Sequence, residues 1–224
     1  AALAMKAMQG SKYSTGNSGM CDAAACKNVL LVSDTRGVDP GMVATIEQDA
    51  KKIGITFKVR QINGAYPTIQ TPSKNIPISE RPGWGKDYAD ALTFFTPLFD
   101  SRTIIANGNT NYSLVGVTPA QCKALKIGGN CVGVPNIDSH LDKCSVLIDP
   151  ARSTCYENLD KDIMTNVVPW VPWMWSKVTR ITSSNVTHYQ FDQFAQKRKQ
   201  PDTLTQPPTI KQLAIRFCDY SRAV

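Results

Sequence analysis

Ile78-Ser79-Glu80-Arg81-Pro82-Gly83-Trp84-Gly85-Lys86-Asp87-Tyr88-Ala89-Asp90-Ala91-Leu92-Thr93-Phe94-Phe95 changes from one kind of structure to another within a single stretch. It opens on a short alternating apolar segment and passes through Pro82-Gly83 and Trp84-Gly85, dipeptides that interrupt regular structure and leave the backbone open to close approach. It then becomes a helix-like run over residues 89–99. A strand-to-helix corner of this kind gathers Arg81, Trp84, Asp87 and Tyr88. The aromatic faces supply contact area, and Asp87 and Arg81 offer opposite charges for the two ends of a zwitterion. The plainer alternative makes Trp84 a core plug and Asp87 the N-cap of the helix that follows.

Upstream of the corner, residues 28–33 read as a short apolar strand. From 41 to 53 the apolar positions Met42, Val43, Ile46, Ala50 and Ile53 recur at helical spacing, with Gly54 as the stop. Residues 55–62 alternate as a second strand, so the segment reads as a βαβ unit with parallel strands. An alanine-rich helical turn ending near Gly10 precedes it, and residues 63–77 read as an irregular crossing because Pro67, Pro72 and Pro77 oppose regular structure. Downstream, residues 100–117 are rich in Asn, Gly, Thr and Ser and read as surface loop. Short helices are expected at 118–125 and 137–147, and a longer one runs from Pro150, tolerated in a first turn, to about Val167. Residues 169–175 form a strand carrying Trp170, Trp173 and Trp175, the last two expected on one face, with 178–181 as a short strand beside it. Residues 196–208 are polar, basic and proline-containing and read as a linker or tail. The segment 210–217 reads as a terminal helix or strand of unassigned partner.

With 42% hydrophobic and 19% charged residues the chain has the composition of an ordinary globular protein. Its 224 residues suffice for a sizeable core without help from disulfides. No apolar run reaches the roughly 20 residues of a membrane span. Residues 1–8 lack the pattern of a signal peptide, so any export signal is expected to be already removed. The net charge of +7 admits an anionic partner. The basic residues are nevertheless scattered, apart from Lys197-Arg198-Lys199, and no recognition motif accompanies them; a solvated basic surface is expected and no nucleic acid.

The seven cysteines fall into local pairs, Cys21 with Cys26, Cys122 with Cys131 and Cys144 with Cys155, leaving Cys218 over. This spacing favours disulfides and an oxidising location. A metal centre is the rival, but it needs ligand-spaced partners, and the chain has only His140 and His188, neither near a second candidate ligand in sequence. No metal and no cofactor is expected.

The corner also carries a resemblance. Trp84-Gly85-Lys86-Asp87-Tyr88-Ala89-Asp90-Ala91 resembles the W-x-x-D-Y-x-D-P signature of the extracytoplasmic solute-binding proteins of peptide- and nickel-type ABC importers, the oligopeptide- and dipeptide-binding type. Its neighbours fall in that family's order. Residues 49–55 are similar to a helix-to-strand junction, 136–144 to a following helix, and Asp149-Pro150-Ala151-Arg152 through Asp160 to the next. Residues 168–173 are similar to a strand, and Ser184-Asn185-Val186 to a turn. The resemblance covers roughly residues 1–193 and corresponds to the second, C-terminal lobe of a two-lobed protein. Residues 194–224 are left as a tail of uncertain structure.

The resemblance implies an α/β fold: a single lobe of the type II periplasmic-binding-protein class, with a mixed β-sheet flanked by helices. It implies a non-catalytic role, in which the lobe closes with a first lobe, absent from this sequence, over a small peptide-like or other amine-bearing solute. The solute is then delivered to an ABC permease from a periplasmic or extracellular location, with a lipid anchor on the full-length protein as one option. In peptide-binding members the Asp of W-x-x-D-Y holds the ligand's α-ammonium, which makes Asp87 the expected amine-recognising carboxylate. Arg81 is the candidate partner for a ligand carboxylate, with Trp84 and Tyr88 as walls. Ala91 stands where the pattern has proline. Two other classes remain in view: an extracellular interaction module using the Trp cluster, and a hydrolase pairing Asp87 with Asp90, three residues apart.

Overall fold

Strand, helix and strand follow one another early in the chain, and the sheet grows from them. The structure, a computed structural model, describes residues 2–35, 40–80, 83–129, 131–175 and 210–215. After α1 (Ala2–Gln9) come β1 (Val29–Asp34), α2 (Pro40–Lys51) and β2 (Phe57–Ile62). β1 and β2 pair in parallel with Val29 opposite Phe57 and Asp34 opposite Ile62. The short helix α3 (Tyr66–Ile69) occupies part of the expected irregular crossing and leads to β3 (Ile78–Glu80), which pairs in parallel on the other side of β1. Gly54, between α2 and β2, has φ of +80°, and a Cβ there would lie 2.8 Å from the Cys21 backbone nitrogen and closer still to its carbonyl oxygen. Only glycine fits that crossing of two backbones.

The helical half follows: α4 (Leu92–Phe99), α5 (Pro119–Ala124), α6 (Asp138–Ser145) and α7 (Ala151–Asp162), the last continuing into a π-helical turn, Ile163–Val167. β4 (Trp170–Trp175) and β5 (Ile210–Ile215) complete a five-stranded sheet in the order β2-β1-β3-β5-β4. β5 is antiparallel to both its neighbours. The fold is therefore mixed α/β, with three parallel strands and a late strand inserted into the sheet. The segment expected as a helix or strand without a partner is this inner strand, so part of the presumed tail belongs to the sheet. Pairing slips by one residue between Pro172 and Met174, as happens where proline cannot donate to the ladder. The faces expected for Trp173 and Trp175 lie outside the described side chains.

One core joins sheet and helices. Val32 of β1, Phe95, Leu98 and Phe99 of α4, Leu141 of α6, Leu159 of α7 and Trp170 of β4 pack together, with the Phe99 and Trp170 rings 4.7 Å apart. A smaller cluster of Leu114, Val117, Cys122 and Ile127 surrounds α5.

The stretch 100–117, expected at the surface, is largely inside. Tyr112, Leu114, Val115 and Val117 are buried because two buried asparagines satisfy the irregular backbone. The Asn111 amide donates to the carbonyls of Asp100 (3.2 Å) and Val115 (3.0 Å) and accepts from the Val115 N–H (2.9 Å). The Asn109 amide donates to the Asn111 carbonyl at 2.8 Å. Asn111 opens one of two Asn-x-Ser/Thr triplets, and its burial makes it inaccessible to a glycosylating enzyme in the folded state.

All three cysteine pairs read from spacing are bonded: Cys21–Cys26, Cys122–Cys131 and Cys144–Cys155. The third ties α6 to α7. Cys218, His188, the basic run 197–199, the strand expected at 178–181 and the turn at 184–186 lie outside the described residues. So does Arg81. Among the described residues no helix is long and apolar enough to cross a membrane.

Candidate functional site

The parallel strands β1, β2 and β3 end on one edge of the sheet, and the corner 83–91 leaves β3 there. In open α/β sheets this carboxyl edge is where ligands bind. Two tyrosines fix where the corner begins. The Tyr66 hydroxyl donates to the Gly83 carbonyl at 2.9 Å and meets the hydroxyl of buried Tyr112, with the rings edge-on at 5.8 Å. Burial, and then the neighbouring Tyr66, push the Tyr112 phenol well above its usual range. It therefore stays protonated and donates to Tyr66, which in turn donates to the backbone.

Trp84 is half-buried against the main core. Its Nε1 donates to the Thr93 carbonyl at 2.8 Å. Thr93 lies four residues before Pro97, the proline inside α4, and proline has no N–H for the carbonyl one turn back. The indole supplies that missing donor. Trp84 thus acts as a brace between corner and helix.

Asp87 is exposed and held by one buried residue, Thr93. Its backbone N–H donates to Thr93 Oγ1 at 3.0 Å, and that hydroxyl donates back to Asp87 Oδ2 at 3.1 Å. No other hydrogen bond reaches the carboxylate among the described residues, so Oδ1 is open to a ligand. Asp87 is not the N-cap of α4. The helix starts three residues later than the sequence pattern suggested, because Asp90 Oδ1 accepts the Leu92 N–H at 2.7 Å and residues 88–91 bend around it. Thr93 was not singled out from sequence, where it is one of two threonines, with Thr96, in an otherwise apolar helix.

Asp90 faces a different partner. Arg152 of α7 grips it with two bonds, Nε to Oδ2 at 2.7 Å and an Nη to Oδ1 at 3.0 Å. The same guanidinium donates to the carbonyls of Cys144, Ser145 and Leu147 and lies 5.2 Å from the centre of the Tyr156 ring. The hydrogen bond from Arg152 holds the Asp90 carboxyl below its usual range against the opposing effect of burial. Both carboxylate oxygens are engaged, and Asp87 and Asp90 do not share a helical face, so the acid pair on which a hydrolase would depend is not formed. Asp90 and Arg152 both fall on fixed positions of the sequence resemblance, and that coincidence was the available hint of their contact.

Tyr88 is 50% exposed and stands on the rim of an open cleft between the corner and α7, of about 520 Å³. Neither Asp87 nor Trp84 lines it. The structure thus brings Trp84 and Asp87 together through Thr93, and sets Tyr88 toward a separate hollow. Among the described residues, the one group spaced as metal ligands is His140 beside Cys144 and Cys155. Those sulfurs are bonded to each other, which removes them as thiolate ligands. Comparison with family models, with curated proteins and with solved structures finds no match to this chain.

Proposed function

We propose that this chain is the C-terminal lobe of a solute-binding protein of a peptide-type ABC importer, and that its corner recognises a small amine-bearing solute for delivery to a membrane permease. The reading rests above all on Asp87: an exposed carboxylate at the carboxyl edge of the parallel strands, tethered by buried Thr93 through one oxygen and open at the other. A group held this way loses little side-chain freedom when it pairs with an ammonium, which is how preorganisation favours binding. The brace from Trp84 and the tyrosine pair serves the same end. The mixed sheet and the three disulfides are compatible with the proposed lobe and with an extracytoplasmic location. No bond-breaking chemistry is involved. The opposing lobe supplies the other half of the enclosure, so this chain alone binds weakly, with Kd on the order of 1 mM or above.

Titration of the chain with alanylalanine and with its N-acetyl derivative, followed by amide chemical shifts, tests the proposal. The free-amine dipeptide is expected to move the amides of residues 83–93 saturably, while the acetylated form and the Asp87→Asn variant show at least about a tenfold weaker response. Equal responses to both dipeptides, or an unchanged response in the variant, contradict it.

A further inference from the structure

The helix α7 turns one stripe toward the corner. Arg152, Ser153, Tyr156, Glu157 and Asp160 lie on a single helical face. Across the cleft stand Tyr88 and the Phe94-Phe95 pair of α4. The cleft's volume of about 520 Å³ falls in the range of small-molecule sites.

The two sides differ in chemistry. On the corner side the rings of Tyr88, Phe94 and Phe95 stand beside two alanines and the Lys86 side chain. On the α7 side three carboxylates, Asp149, Glu157 and Asp160, accompany the Asp90–Arg152 pair. The Arg152 charge is already matched by Asp90, and Asp149 accepts from the backbone and hydroxyl of Ser153. Glu157 and Asp160 have no hydrogen-bond or ion-pair partner among the described residues. Desolvation raises the Asp160 carboxyl above its usual range, although much of the residue is open to solvent. A separate observation concerns the wall itself. Tyr156 is only 4% exposed, and its hydroxyl has no hydrogen-bond partner, an uncommon state for a buried polar atom. A negative hollow of this kind is also unexpected on a chain of net charge +7.

We propose that this cleft is a second binding site, for an organic cation consisting of an ammonium or guanidinium group on an apolar stem. The charge is placed against Glu157 and Asp160, one helical turn apart, while the stem lies along Tyr88 and Phe94. The aromatic faces favour a cation further. A divalent metal is a poorer fit, because calcium takes six to eight oxygen ligands and the wall opposite α7 presents aromatic rings, alanines and the Lys86 side chain, its Asp90 carboxylate being already bound to Arg152. Asp87 is not part of the lining, so the site is distinct from the one proposed for the solute's α-ammonium and does not depend on it.

Benzylammonium chloride, with benzyl alcohol as its neutral counterpart and calcium chloride as the metal control, tests the proposal on the full chain by amide chemical shifts. Benzylammonium is expected to shift residues 86–91 and 152–160 saturably, at least about fivefold more tightly than benzyl alcohol. The Glu157→Gln/Asp160→Asn double variant, whose changes are exposed and whose fold is checked by near-UV circular dichroism, is expected to lose that preference. Equal binding of the alcohol, tighter binding of calcium at the same residues, a preference retained in the variant, or no localised shift would each overturn the assignment.

Discussion

Trp84 and Arg152 each repair a local backbone problem, and the consequences of removing them differ. Replacing Trp84 by Phe keeps an aromatic plug but takes the donor from the Thr93 carbonyl. The expected loss of stability in urea is about 1–3 kcal/mol, the usual cost of orphaning a buried polar group. Pro97→Ala returns a backbone N–H to the same carbonyl, so the double variant is expected to lose roughly 1 kcal/mol less than the sum of the single changes. Strict additivity would show that the indole acts only by packing. Arg152→Met removes the cationic half of a part-buried ion pair, whose side chains are 16% and 26% exposed, and leaves the Asp90 carboxylate and three carbonyls without their donor. A loss of about 2–3 kcal/mol is expected. The Asp90 carboxyl is depressed in the folded state, so its contribution is fully present above the unfolded value near 3.8 and is lost as pH falls through the lower folded value. Stability measured from pH 7 down to 2 should therefore fall less steeply in Arg152→Met than in the parent. The same slope in both proteins would show that Asp90 and Arg152 are not coupled. At this scale the sequence displayed the residues but not their partners: Trp84 and Asp87 stood out by type and place, whereas Thr93 has no distinguishing neighbour pattern and acts only once α4 is folded against the corner.

Among the elements, β5 is the one whose position most changes the picture. It fills the gap between β3 and β4, pairing Ser79 with Ala214 and Trp170 with Ala214 from its two sides. Ending the chain at residue 209 is expected to leave two strand edges unpaired and to abolish cooperative unfolding, with aggregation in its place. A soluble truncated chain with an unchanged thermal transition would mean that the strand is dispensable. The early βαβ unit was legible because its apolar spacing and Gly54 are local signals. β5 was not, because a short apolar segment after a polar linker does not announce a partner about forty residues back in β4, or further back in β3. The stretch 100–117 misled for a related reason. Its asparagines look solvent-seeking in sequence, but in the fold they supply backbone partners that no regular element provides, and that allows Tyr112 and Val115 to be buried.

For the molecule as a whole, the alternation of strands and helices indicated the α/β class, and the cysteine spacing indicated the three disulfides. The site was legible only as a location. Local sequence marked the corner 83–91, but the division of labour within it is three-dimensional: Trp84 braces, Thr93 tethers, Asp90 locks to α7, and Asp87 alone remains open. This last carboxylate is the one proposed to receive a ligand ammonium. The most direct measurement is the side-chain carboxyl ¹³C resonance of Asp87, assigned through its loss in Asp87→Asn, during addition of alanylalanine. A saturable shift of that resonance is expected, absent with the N-acetyl dipeptide, while the Arg152-bound carboxyl of Asp90 stays in place. An Asp87 resonance that does not respond to the free amine, or responds equally to both dipeptides, would contradict it.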